Sequence, residues 1–163
     1  MLISCWDYYN ASFVLFPEAQ IWVILNLMVP EAGFSEREHT ADWELEVWAP
    51  DFPSLLEQAA LGFVAITSTT LKEEARQSRT LILSAGDRES LLVKFLQELL
   101  ILSEQERLGF DQFQFIQKGD SLKVHMKGAP IQTQDKEIKA VTYHNLSVRE
   151  TAEGLRVNIV FDV

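Results

Sequence analysis

Two aspartates, Asp42 and Asp162, are the residues of this 163-residue chain best placed by type and position to do chemistry. Asp42 closes the stretch Glu38-His39-Thr40-Ala41-Asp42 and opens the alternating run Trp43-Glu44-Leu45-Glu46-Val47-Trp48. Asp162 ends a second alternating run, Leu155-Arg156-Val157-Asn158-Ile159-Val160-Phe161. Strict alternation is the period of a half-buried β-strand. Carboxylates at the ends of two strands can meet at one sheet edge, and hard cations favour such oxygen donors. The residues alone leave a second reading open, in which both aspartates are turn or cap residues.

The rest of the inventory excludes much. A single cysteine, Cys5, allows neither a disulfide framework nor a cysteine-rich zinc site. Seven scattered glycines form no phosphate-binding loop, and there is neither a paired-histidine helix motif nor a nucleophile elbow. His125 alternates outward on a strand between two lysines, as a solvated residue would. His39 and His144 lie beside strand ends, where hydrogen-bonded structural roles are expected. The net charge of −10 opposes contact with phosphate backbones, because such contact depends on Lys and Arg displacing counterions. Unless a local basic patch overrides it, RNA is expected to be reached only indirectly, through a basic protein partner.

These residues need elements to position them. Pro53 suits a first helical turn, and Leu55, Leu56, Ala59, Ala60, Phe63 and Val64 recur at helical spacing up to about Thr67. A polar connection over residues 70–74 leads to a strand over Gln77–Ser84. Asp87 and Ser90 are N-cap candidates for a second helix, whose apolar stripe runs from Leu91 to Leu102, with Gly109 as its stop. Beyond Phe110 the pattern is β. A strand through Phe113 and Phe115, a turn at Lys118-Gly119-Asp120 and a strand through Leu122, Val124 and Met126 form a hairpin that Gly128-Ala129-Pro130 interrupts. A strand over Ile138–Tyr143 follows, then a hairpin around Thr151–Gly154 leading to Asp162. The predicted class is α+β, with two helices on one face of a largely antiparallel multi-stranded sheet.

Residues 1–33 differ from the remainder: they lack Lys and Arg and are rich in aromatics. Nothing there reads as a secretory signal, and the apolar run over residues 21–29 is too short for a membrane span. The expected organisation is an N-terminal extension over 1–33, disordered or from a misplaced start, and a domain over 34–163. An added helix packed on the domain is the alternative for the extension.

Several pieces together resemble a known family. Glu38-His39-Thr40-Ala41-Asp42, Val47-Trp48-Ala49-Pro50 and Leu56-Glu57-Gln58-Ala59-Ala60-Leu61-Gly62-Phe63 are similar to the N-terminal signature of the archeases. Leu91–Leu100 resembles the family's second helix, and Lys136–His144 its C-terminal signature; the chain ends in the family's Asp-aliphatic pair. The likeness covers residues 34–163 in order.

The resemblance implies a small acidic protein cofactor of an RtcB-type RNA ligase, one that promotes guanylylation and multiple turnover in tRNA splicing or RNA repair. It implies a divalent metal bound by Asp42, Asp162 and Val163, the last through its main-chain or terminal oxygen. Calcium is the commonest assignment in the family, and magnesium and manganese also suit all-oxygen ligation. The family's usual leading Asp is Glu38 here, one methylene longer. Glu38 and His39 would stand behind the ligands, His39 orienting Asp42. The expected site is thus metal-binding rather than catalytic, in a cytoplasmic, non-membrane protein. Two alternatives stand beside it. One is a chaperone or modulator of another RNA-processing enzyme, such as a tRNA methyltransferase. The other is a metal-dependent phosphate-handling enzyme, for which Lys139 is the residue to examine as a clamp.

Overall fold

A computed structural model of the chain describes residues 32–38, 42–74 and 76–163. The expected extension, apart from its last two residues, and His39 lie outside the described residues, so the extension's readings are not addressed by the fold.

Two helices and nine strands make up the described fold. Every strand pairing is antiparallel, and the strands divide into two sheets. In the first sheet, β1 (Gly33–Glu38), β2 (Trp43–Ala49) and β9 (Gly154–Asp162) lie side by side. The far edge of β9 is taken by β7 (Ala140–Val141) at one end and β8 (Arg149–Thr151) at the other. In the second sheet, β6 (Ser121–Thr133) pairs with β4 (Gln77–Ser84), β5 (Leu108–Lys118) and the short β3 (Thr70–Leu71). The α+β class with antiparallel pairing is as the sequence predicts, with two sheets where one was expected.

Both helices start at an Asp cap. In α1 (Phe52–Ile66) the Asp51 carboxylate accepts the Ser54 N–H at 2.8 Å. In α2 (Arg88–Gln105) Asp87 accepts from Ser90 N–H at 2.6 Å, and that bond holds the Asp87 carboxyl below its ordinary pKa. Helix α1 packs its buried stripe on β1, β2 and β9 and reaches β5; α2 packs on β4, β5 and β7. The core therefore lies between the helices and one face of each sheet. Phe63 meets Phe161 at a centroid distance of 6.1 Å, and Phe95 meets the Phe113 and Phe115 rings edge-on at 5.9 and 5.5 Å.

Three further expectations need correction, and one strand goes beyond them. Residues 33–38 form β1, which Ser35, Glu36 and Arg37 conceal as a polar run. Helix α2 ends at Gln105, with Arg107 rather than Gly109 in the left-handed region (φ 54°); Gly109 belongs to β5. Strand β6 continues through Gly128-Ala129-Pro130, because Gly128 lies where β5 passes closest: a Cβ there would collide with the Gly109 carbonyl. The proline loses no essential bond; it pairs with Leu108, and its carbonyl accepts the Lys72 N–H at 2.9 Å. Finally, Ile138–Tyr143 supplies only the two-residue β7.

Candidate metal centre

The candidate site is assembled by register. Trp43 pairs with Phe161 across β2 and β9, so Asp42 and Asp162 each stand one residue beyond that pair, at the same end of the first sheet. Phe161 is fully buried and Trp43 is half-buried against the core. Alternation therefore assigns the two aspartates to the opposite, outer face, and both are exposed. The hairpin joining β1 to β2 closes at this end, since Glu38 pairs with Trp43. Strand β7 begins here too, with Ala140 opposite Asp162. The stretch 38–42 and the chain's last residues, 120 positions apart in sequence, thus share one sheet end.

Two lysines from the segment before β7 complete it. The Lys139 backbone N–H donates to the Asp162 carbonyl at 2.8 Å, and its Nζ donates to the Val163 main-chain oxygen at 2.8 Å. Lys136 Nζ lies 3.7 Å from the Trp43 ring centroid and 3.5 Å from Glu36 Oε1. A cation over an indole face is attracted by the ring quadrupole, so Lys136 ties the segment to the residue next to Asp42. Sequence reasoning singled out Lys139 only as the residue to examine as a phosphate clamp, and gave Lys136 no role. Its contact with Trp43 depends on a fold that brings residue 136 back to β2, which no local pattern signals.

Inward from this end, the outer face of the sheet is a polar ladder. Glu46 receives Arg156 at 2.8 Å and Arg37 at 2.5 Å, while Arg156 also lies 5.5 Å from the Trp48 ring. The Arg156 hydrogen bond is the main cause holding the Glu46 carboxyl below its ordinary value near 4.5; partial burial opposes it and the Arg37 charge adds to it. Asn158 donates to Glu44 at 2.5 Å.

The donor set fits a hard cation in kind: two exposed carboxylates and a main-chain oxygen on adjacent strand ends. It is a pair, not a cage. Among the described residues, no group of three or more His, Cys, Asp or Glu side chains could hold an ion, so other positions would fall to water, to residues 38–41 or to a partner. The Val163 oxygen already accepts from a cationic amine. His144, by contrast, is exposed and bonds locally to Asn145 at 3.0 Å. His125 lies on the second sheet, half-buried, with Nδ1 2.9 Å from the Thr80 hydroxyl. Among the described residues, no helix is long and apolar enough to cross a membrane.

Comparison with known proteins bears on the whole domain. The family model "Archease protein family (MTH1598/TM1083)" matches residues 34–163. Protein archease of Methanosarcina barkeri is 32% identical over 138 residues, covering 77% of this chain and 92% of that protein. Protein archease of Methanosarcina mazei is 34% identical over the same length and shares. Among solved structures, the solution structure of Methanobacterium thermoautotrophicum protein 1598 superposes with a TM-score of 0.61 at 23% identity, covering 80% of this chain and 99% of that one. A Thermotoga maritima protein described as an archease, possible chaperone, superposes with a TM-score of 0.59 at 24% identity, covering 79% and 96%. These two structures share the fold; with the family match and the curated relatives, they make this chain a member of the archease family.

Proposed function

We propose that the chain is a non-catalytic cofactor of an RtcB-type RNA ligase, which it activates with a divalent cation carried at the end of its first sheet. The observation that carries this reading is the β2–β9 register, which sets Asp42 and Asp162 one step beyond the paired Trp43 and Phe161. Asp42, Asp162 and the Val163 main-chain oxygen would hold the ion, with His39 orienting Asp42 and Glu38 standing behind the ligands. All-oxygen donors suit calcium, and magnesium or manganese next. When bound, the ion supplies concentrated positive charge that can order phosphate or carboxylate groups of the partner.

The chain's own residues do the positioning. Phe161, locked in the core, fixes the level at which Asp162 emerges. Lys139 bonds the last main-chain oxygens and balances the carboxylates. Lys136, seated on Trp43, holds the segment before β7 against β2. The chain's net charge of −10 suits docking on a basic protein face, where charge complementarity speeds encounter. A cytoplasmic site of action goes with this reading.

The test is guanylylation of the cognate ligase in defined metal, alone and with the wild-type protein or Asp42→Ala/Asp162→Ala. The reading expects stimulation by wild type and its loss in the folded double variant. Equal stimulation by both would remove the carboxylates from the function. A second reading, a chaperone or modulator of another RNA-processing enzyme, is favoured by the description of the Thermotoga maritima structure as a possible chaperone. It expects no stimulation of the ligase by folded, metal-loaded protein, with protection of a different enzyme from aggregation.

A further inference from the structure

The outer face of the second sheet has a composition opposite to that of the chain as a whole. Along the central strand β6, Lys123, His125 and Lys127 alternate outward, while Leu122, Val124 and Met126 are buried. Register places Thr80 and Gln114 on either side of His125, and Ser78 and Gln112 on either side of Lys127. Lys118 is carried toward the hairpin tip, opposite Ser121. The chain holds 24 Asp and Glu against 14 Lys and Arg, yet β4, β5 and β6 carry a single carboxylate, the exposed Asp111. Asp111 lies at the β5 bulge and is neutralised by an ion pair with Arg76.

This face is concave as well as basic. A groove of about 460 Å³ is lined by Ser78, Thr80, Gln112, Gln114, His125 and Lys127 among others. Its polar lining consists of cations, amides and hydroxyls, the groups that contact phosphate oxygens in nucleic-acid complexes. The Thr80 hydroxyl against Nδ1 fixes the His125 ring within the groove.

We propose that this face binds the phosphodiester backbone of a single RNA strand, without sequence preference. An acidic protein surface is the competing occupant, and the apolar residues argue against it. Ile82 (73% exposed) and Ile116 stand singly on either side of Lys123 and form no continuous patch such as protein interfaces bury at their centres. The outward positions also carry no aromatic ring, so base stacking contributes nothing and the binding should be electrostatic. Charge elsewhere on the chain would then orient the strand, repelling it from the acidic sheet and steering it to this one. The proposal does not depend on the ligase reading, because the Asp42–Asp162 site lies on the other sheet.

The experiment is fluorescence polarisation of a labelled 20-nucleotide oligouridylate titrated with the full chain between 50 and 200 mM salt. Three phosphate–lysine contacts predict a slope of log affinity on log salt near −2, hence roughly 20-fold weakening over that range. Lys123→Ala/Lys127→Ala, checked for an unchanged melting temperature, should bind at least tenfold more weakly at 50 mM salt, with the slope falling to about −0.7. Asp42→Ala/Asp162→Ala should bind no more weakly than wild type. No saturable binding at 50 mM salt, or equal binding by the lysine variant, would overturn the proposal. So would displacement of the RNA by an oligoglutamate of equal charge at equal concentration, which would make an acidic protein the occupant. Ligase guanylylation measured without RNA reads the metal-site proposal separately, so either can fail alone.

Discussion

Replacing Lys139 with methionine should tighten divalent-ion binding, and the structure sets the scale of the gain. Lys139 Nζ lies 2.8 Å from the Val163 main-chain oxygen. A carbonyl oxygen has two lone pairs, so an ion could share it at the roughly 2.4 Å typical of calcium ligands. Ion and ammonium would then stand on the order of 4.5 Å apart. Charges of +2 and +1 at that distance repel by about 2 kcal/mol in bulk water. The bulk value is appropriate because Asp42, Lys139 and Asp162 are all exposed. Physiological salt, with a Debye length of about 8 Å, lowers the repulsion to roughly 1 kcal/mol. Lys139→Met keeps most of the aliphatic stem and removes the charge, so calcium affinity should rise roughly 5- to 20-fold. Isothermal titration calorimetry at low and physiological salt measures it, with the larger gain at low salt. Lys118→Met, on the other sheet, controls for the loss of one positive charge and should change affinity less than twofold by the same screening argument. Unchanged or weaker binding by Lys139→Met would refute the assignment of Val163 and its surroundings as the ion site.

Three further outcomes follow from the fold. Phe161→Ala should cost about 3–5 kcal/mol in urea denaturation and weaken calcium binding more than Phe113→Ala does; equal effects on binding would separate Phe161 from the site. Gly128→Ala should lose at least about 2 kcal/mol, because the obstacle is the Gly109 backbone rather than a side chain that can turn aside, while Gly86→Ala, with open space around it, should stay within about 0.5 kcal/mol of wild type. A Gly128→Ala variant as stable as wild type would contradict the close approach of β5 to β6 there. Glu46 has a depressed folded pKa, so its contribution is present above its unfolded value near 4.5 and is lost as pH falls through the lower folded value. Denaturation between pH 6 and pH 3 should show wild type losing more stability than Glu46→Gln, and parallel curves would exclude the Arg156–Glu46–Arg37 contact as a stabilising one.

How much was legible in the sequence differs between its elements. The two helices and the β2 and β9 strands declared themselves by period, because each buries one face and exposes the other. The Asp87 cap could be expected because capping chemistry is local. Strand β1 could not be read: only Phe34 and the flanking Gly33 suggest a sheet, and its pairing with β2 decides its conformation. Gly128-Ala129-Pro130 reads as a break until β5 is known to pass close against it. Asp42 and Asp162 could be paired from strand-end logic and family likeness, since both methods work on the two ends of the domain. Lys136 on Trp43 and the acid-poor face around His125 were hidden, because each depends on register between distant segments. The net charge describes the whole surface and says nothing of how the fold sorts it between two sheets.

The most direct test of the central claim is calcium binding by a double-mutant cycle on Asp42→Asn and Asp162→Asn. If the two carboxylates form one site, the protein binds one ion there. Each single variant then loses at least tenfold in affinity, and the double variant loses far less than the product of the two. Fully multiplicative losses, or a single variant that binds as wild type does, would mean that the two strand ends meet without forming a shared site.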